Sequence, residues 1–150
     1  MAIKDKLSED LKQAMRDKNA ELRMTIRLLL SEIHNQEIAV QKPLDDDAVL
    51  GVLSKQAQQR RDSIEAFAKG NREDLVQKEQ AQLDIILSYM PQQLSREEIA
   101  VLVREAIAAS GAKGPQDMGR VMGQLMPKVR GKAEGREVSG IVQEMLKSLG

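Results

Sequence analysis

The stretch YMPQQLSREEI, residues 89–99, decides how this chain is organised. Pro91 has no N–H to give a helix and pushes its predecessor out of helical backbone. Shortly after it, Ser95 and Glu98 form the S-x-x-E capping box, in which each side chain satisfies the other residue's backbone N–H at a helix start. One helix ends and another begins within this segment. The chain is therefore expected to divide into an N-terminal helical domain, 1–91, and a C-terminal domain, 92–150.

Towards the N-terminus the apolar residues recur at helical spacing. Ile3, Leu7, Leu11, Ala14 and Met15 mark a first helix, about 2–18. Asn19 offers an N-cap for a second, striped by Leu22, Ile26, Leu29, Leu30, Ile33 and Val40 and ending before Pro43. The acidic run Asp45–Asp47 favours the positive start of a third helix, about 46–69, with Val49, Val52, Leu53, Ala57, Ile64 and Phe67 on one side. Gly70 or Asn71 suits a left-handed turn into a fourth, about 72–89.

Towards the C-terminus, Ile99, Leu102, Val103, Ala106 and Ile107 stripe a helix closed by Gly111, and Val138 to Leu149 stripe the last. Between them, Gly114 as N-cap and Pro115 at the first position open a helix carrying Met118, Val121, Met122, Leu125, Met126 and Val129 on one face. Pro127 predicts a kink, and residues 128–135, bracketed by Gly131 and Gly135, read as a loop. The methionine stripe is either core or an adaptable docking groove. Gly119 and Gly123 read as close-packing positions, with approach by a ligand backbone as the alternative. The expected fold is all-α: an N-terminal four-helix unit followed by a small C-terminal three-helix domain.

Composition narrows the chemistry. Apolar residues make up 41% of the chain and charged residues 31%, while Phe67 and Tyr89 are its only aromatics, so the core is left to aliphatic side chains and methionine. With no cysteine, disulfides, thiolate catalysis and cysteine-based zinc sites are excluded. No run approaches the roughly 20 apolar residues of a membrane span, and no apolar leader is evident, so a cytoplasmic protein with no membrane partner is expected. His34 is the only histidine, which removes histidine-dependent triads and paired-histidine metal sites. GPQDMGRV, 114–121, superficially matches the phosphate loop, but Arg120 and Val121 replace the lysine and hydroxyl it requires, and no strand precedes it. No catalytic residue, metal site or cofactor is expected.

The net charge is zero, yet it is polarised: residues 112–136 hold six cations against two anions, Asp117 and Glu134, a local +4. Lys128, Arg130, Lys132 and Arg136 alternate with small residues, an arrangement that either follows a phosphate backbone or forms a solvated loop. Aromatics for base stacking are missing, so shape and phosphate contacts would dominate. Arg60 falls near the middle of the third helix's apolar stripe and must pair, snorkel or meet a ligand. A hairpin about Gly70 places Glu79 and Asp84 within reach as partners, whereas neighbouring Arg61 reads as solvated.

LRMTIRLLLSEIHNQEI, KQAQQRRDSIEAF, YMPQQLSREEI and DMGRVMGQLMPKVRGKAEGREV, in this order, resemble the GatB/YqeY family across essentially the whole chain. The last motif is the most specific. The resemblance implies an all-α fold and a tRNA-handling role, because a similar domain forms the tail of the B subunit of glutamyl/aspartyl-tRNA amidotransferase. It extends the RNA-contacting set to Arg120, Lys128, Arg130, Lys132 and Arg136; Arg60 and Arg61 are secondary candidates from their place on the third helix and not from the resemblance. The label carbon-nitrogen ligase with glutamine as amido donor describes that larger enzyme, whose reacting domains this chain lacks. The expected function is a non-catalytic tRNA-binding accessory module; the alternative is an adaptor that docks a helix of a larger tRNA-processing or aminoacylation enzyme.

Overall fold

The computed structural model describes residues 1–149 and is all-helical among them. Seven α-helices follow one another: α1 (Ile3–Arg16), α2 (Ala20–Val40), α3 (Asp46–Lys69), α4 (Glu73–Leu87), α5 (Arg96–Ser110), α6 (Met118–Val129) and α7 (Gly135–Lys147). A single 3-10 turn, Pro115–Asp117, leads directly into α6. The helices fall into two compact units, Met1–Pro91 and Gln92–Gly150.

The caps explain the helix starts. Asn19 accepts from the Leu22 N–H and Asp45 from the Ala48 N–H, each satisfying a donor the helix cannot satisfy itself. Ser95 and Glu98 complete both halves of the capping box. Of the two residues suited to a left-handed turn after α3, Asn71 takes it, with φ 57°, while Gly70 stays at −87°. Gly111 closes α5 in the same left-handed conformation.

In the first unit α1 and α2 form one hairpin and α3 and α4 another, packed around Leu7, Ile26, Leu29, Ile33, Val49, Leu53 and Ile86. Each such aliphatic side chain, taken fully from water, contributes about 2 kcal/mol. Polar links fix the hairpins. Lys4 pairs with Glu37 at 2.7 Å, and the same Glu37 oxygen accepts from the Leu44 N–H. Tyr89 donates its hydroxyl to Asp10 at 2.5 Å, tying the end of α4 to α1.

The second unit packs α5, α6 and α7 around Ile99, Val103, Val121, Leu125, Val142 and Leu146. Met118, Met122 and Met126 lie partly buried against this core, so the methionine stripe is packing and not an open groove. Two expectations need correction. Helix α6 continues through Pro127 to Val129, so only residues 130–134 are loop, and Gly135 begins α7. Proline deprives the Gly123 carbonyl of its helical donor, a loss that is tolerable because Gly123 is exposed. The exposed Gly119 and Gly123 are not close-packing positions either, because nothing lies within 4 Å of a Cβ added at either.

Candidate nucleic-acid interface

The basic segment is held by its backbone. Gly131 sits buried at φ 76°, a left-handed conformation that glycine adopts without strain. The Gly131 carbonyl accepts from the Gln93 side chain at 2.8 Å, and the Lys132 carbonyl accepts from the Leu94 N–H at 2.7 Å. On the inner side the N–H groups of Lys132 and Ala133 both return to the Val129 carbonyl. The turn is thereby pinned on two sides, with its side chains left outside. Nothing local in the sequence marks Gln93 and Leu94 as a brace; a polar residue following Pro91 is the only available signal.

Lys128, Arg130 and Lys132 are exposed, and none has an ion pair or side-chain hydrogen bond among the described residues. Arg136 is exposed beside Glu134, at 3.5 Å. Arg120 is placed differently. Its guanidinium donates to the Ser110 carbonyl at 2.9 Å and to Asp117 at 2.8 Å, capping the end of α5 and fastening it to the start of α6. Asp117 also accepts from the Lys113 N–H. That hydrogen bond, with the Arg120 charge adding to it, lowers the Asp117 carboxyl below its ordinary value. The structure thus brings Lys128, Arg130 and Lys132 together on one turn and its flank, and holds Arg120 in an anchoring role.

Arg60 and Arg61 lie in the other unit. The Arg60 side chain is 16% exposed; its Nε is 3.1 Å from Glu79 Oε2, and its terminal nitrogen donates to Gln82 at 2.9 Å. The Nε–H is not aligned on that carboxylate, so the contact is a close ion pair rather than a hydrogen bond. Gln56, Gln82, Arg60 and Glu79 form a polar seam between α3 and α4. Asp84, the other proposed partner, instead accepts from Gln80. Arg61 is half-buried.

The described residues contain no cluster of three or more His, Asp or Glu able to hold a metal ion. The acidic run before α3 is occupied locally: Asp45 caps its own helix and Asp46 accepts from the Ile3 N–H. No described helix is long and apolar enough to cross a membrane.

Fold and site together define a small all-helical protein whose C-terminal unit presents a braced basic turn. The chain matches the family described as Yqey-like protein over residues 4–146, and it belongs to that family. It is 38% identical over 144 residues to "Altered inheritance of mitochondria protein 41, mitochondrial" of Pyrenophora tritici-repentis, covering 94% of this chain and 79% of that protein. It is 48% identical over 85 residues to the Eremothecium gossypii protein of the same name, covering 56% of this chain and 46% of the relative. The Saccharomyces cerevisiae (strain YJM789) protein is 45% identical over 87 residues, covering 57% and 47%. The matched region thus spans less than half the length of these last two relatives.

These names correct the expectation of a cytoplasmic location, since the relatives are mitochondrial proteins. The physical reason is simple. A lack of cysteine reports tolerance of any redox environment, and helical packing is indifferent to which side of a membrane it occurs on.

Proposed function

We propose that this protein is a non-catalytic RNA-binding module, with tRNA as its ligand, that holds phosphates with Lys128, Arg130, Lys132 and Arg136. The observation that carries this reading is the braced turn: three cations without intramolecular partners stand on backbone fixed at Gly131 and Lys132. A backbone already held in place loses little freedom when its cations meet a phosphate, whereas a floppy basic loop would lose much. Arg120 acts as an anchor for the start of α6 and contributes charge from its exposed edge. The likeness to the tail domain of the amidotransferase B subunit favours tRNA among RNAs. Arg60 is committed to Glu79 and Gln82 and plays a structural part.

With about four phosphates engaged, log affinity should fall against log salt with a slope of roughly −3 to −4. Titration of purified protein with total tRNA across a salt series measures it. The triple variant Lys128→Glu, Arg130→Glu, Lys132→Glu should bind no tRNA while keeping its helical signal. Unchanged binding by that folded variant would overturn the reading.

A further inference from the structure

A second surface lies in the N-terminal unit and is independent of the basic turn. The C-terminal end of α2 and the first turns of α3 enclose a groove of about 380 Å³, with Val40, Leu44, Gly51 and Val52 among its lining and Lys42 and Lys55 at its edges. On α3 the lining residues Ala48, Gly51, Val52 and Lys55 fall at i, i+3, i+4 and i+7, so they share one helix face, whose inner edge, Val52, is partly buried against the core of Val49 and Leu53. Val40 is 39% exposed.

Gly51 is unusual within this face. Glycine weakens a helix interior relative to alanine, and here no packing demands it: nothing lies within 4 Å of a Cβ added there. Its effect is to keep the groove deep.

The charges are one-sided. Lys42 and Lys55 are the only charged residues lining the groove, and neither ammonium has an ion-pair partner among the described residues. Three of the nearby acids are engaged by their own chain: Glu37 holds Lys4 and the Leu44 N–H, Asp45 caps α3, and Asp46 holds the Ile3 N–H; exposed Asp47, one turn before Gly51, lies outside the lining.

We infer that this groove docks a short amphipathic helix of a partner protein, its apolar ridge seated over Gly51 and its acidic flanks paired with Lys42 and Lys55. Two helices already packed side by side present a furrow that the side-chain ridge of a third fits. The two lysines select the acidic flank and set the register.

The probe is a synthetic helical peptide with leucines at i, i+3, i+4 and i+7 between glutamates, compared with its lysine-for-glutamate counterpart. Fluorescence anisotropy with the full chain reads binding. The acidic peptide is expected to saturate, and the basic one to bind at least about tenfold more weakly. Lys42→Glu with Lys55→Glu should reverse that preference without touching the core. Gly51→Leu should cost the acidic peptide about tenfold or more, while Gly51→Ala melts at or above the parent temperature. Absence of saturable acidic-peptide binding, equal binding of the two peptides, or a charge-reversed variant with unaltered preference would each overturn the inference. None of these outcomes depends on tRNA binding.

Discussion

The Leu94 N–H donates to the Lys132 carbonyl at 2.7 Å, joining the segment before α5 to the middle of the basic turn. The Gln93 side chain repeats the join one residue away, at the Gly131 carbonyl. A segment that reads as a connector is therefore a brace for the surface proposed to meet RNA.

Gly131→Ala tests the brace. A side chain at φ 76° costs roughly 1–2 kcal/mol in a left-handed conformation, and the position is buried as well. The variant should melt earlier and bind tRNA several-fold more weakly although no charge is lost. Gln93→Ala, which removes the side-chain hydrogen bond to that carbonyl, should show the same trend, by about 1 kcal/mol or more. Paired thermal melts and tRNA titrations check both.

The Arg60–Glu79 pair makes a prediction about stability alone. Glu79→Ala leaves a largely buried guanidinium without its counter-charge; because both side chains keep some exposure, at 16% and 20%, the loss should be about 2 kcal/mol rather than the larger values of a fully buried pair. Replacing both residues, Arg60→Met with Glu79→Leu, should recover most of it. Urea unfolding measures the two variants, and tRNA affinity of the folded protein should not change.

The fold was legible because the signals that set it are local. Asn19, Asp45, Ser95 and Gly111 act through their own helix ends, and the stripe from Met118 to Val129 is a pattern within one helix. Arg60 and Glu79 were legible as partners because a hairpin fixes their register. Reading failed where local chemistry meets solvent or a distant segment. Pro127 and the two α6 glycines look like breakers or packing positions, yet the helix continues through Pro127, with Gly123 on its exposed side. Val40 extends the apolar stripe of α2 but lies past the end of the core, so its part in a groove emerges only when α3 is placed beside it. Arg120 counts as one more cation in the sequence, and only the position of the Ser110 carbonyl reveals it as an anchor.

Asp117 should contribute to acid sensitivity, alongside Glu37, Asp74 and Glu98, whose carboxyls are also lowered. Its carboxyl is lowered from the ordinary 3.8 by the Lys113 N–H and by the Arg120 charge. A lowered folded-state value means the stabilisation is fully present above about pH 4 and is lost as the pH falls through the folded value. Asp117→Asn should therefore be less stable than the parent at neutral pH and show a shallower loss below pH 4. An acid titration followed by circular dichroism, with chemical denaturation at each pH, compares the two. A parallel loss in both proteins would place the sensitivity elsewhere, for instance at Glu98, whose carboxyl is lowered by its bond to the Ser95 backbone.

Gly119 and Gly123 separate stability from function. Both lie on the exposed face of α6, and a Cβ at either meets nothing within 4 Å. Alanine at each should therefore stabilise the helix by roughly 0.5–1 kcal/mol, the ordinary difference in helix propensity. If a phosphate backbone runs along this face towards Lys128 and Arg130, a side chain there holds it away, and the same variants should bind tRNA more weakly even as they melt later. Leucine should weaken binding further without unfolding the unit. Opposite movement of melting temperature and affinity would extend the RNA surface from the turn onto α6; stabilisation with unchanged affinity would confine it to residues 128–136.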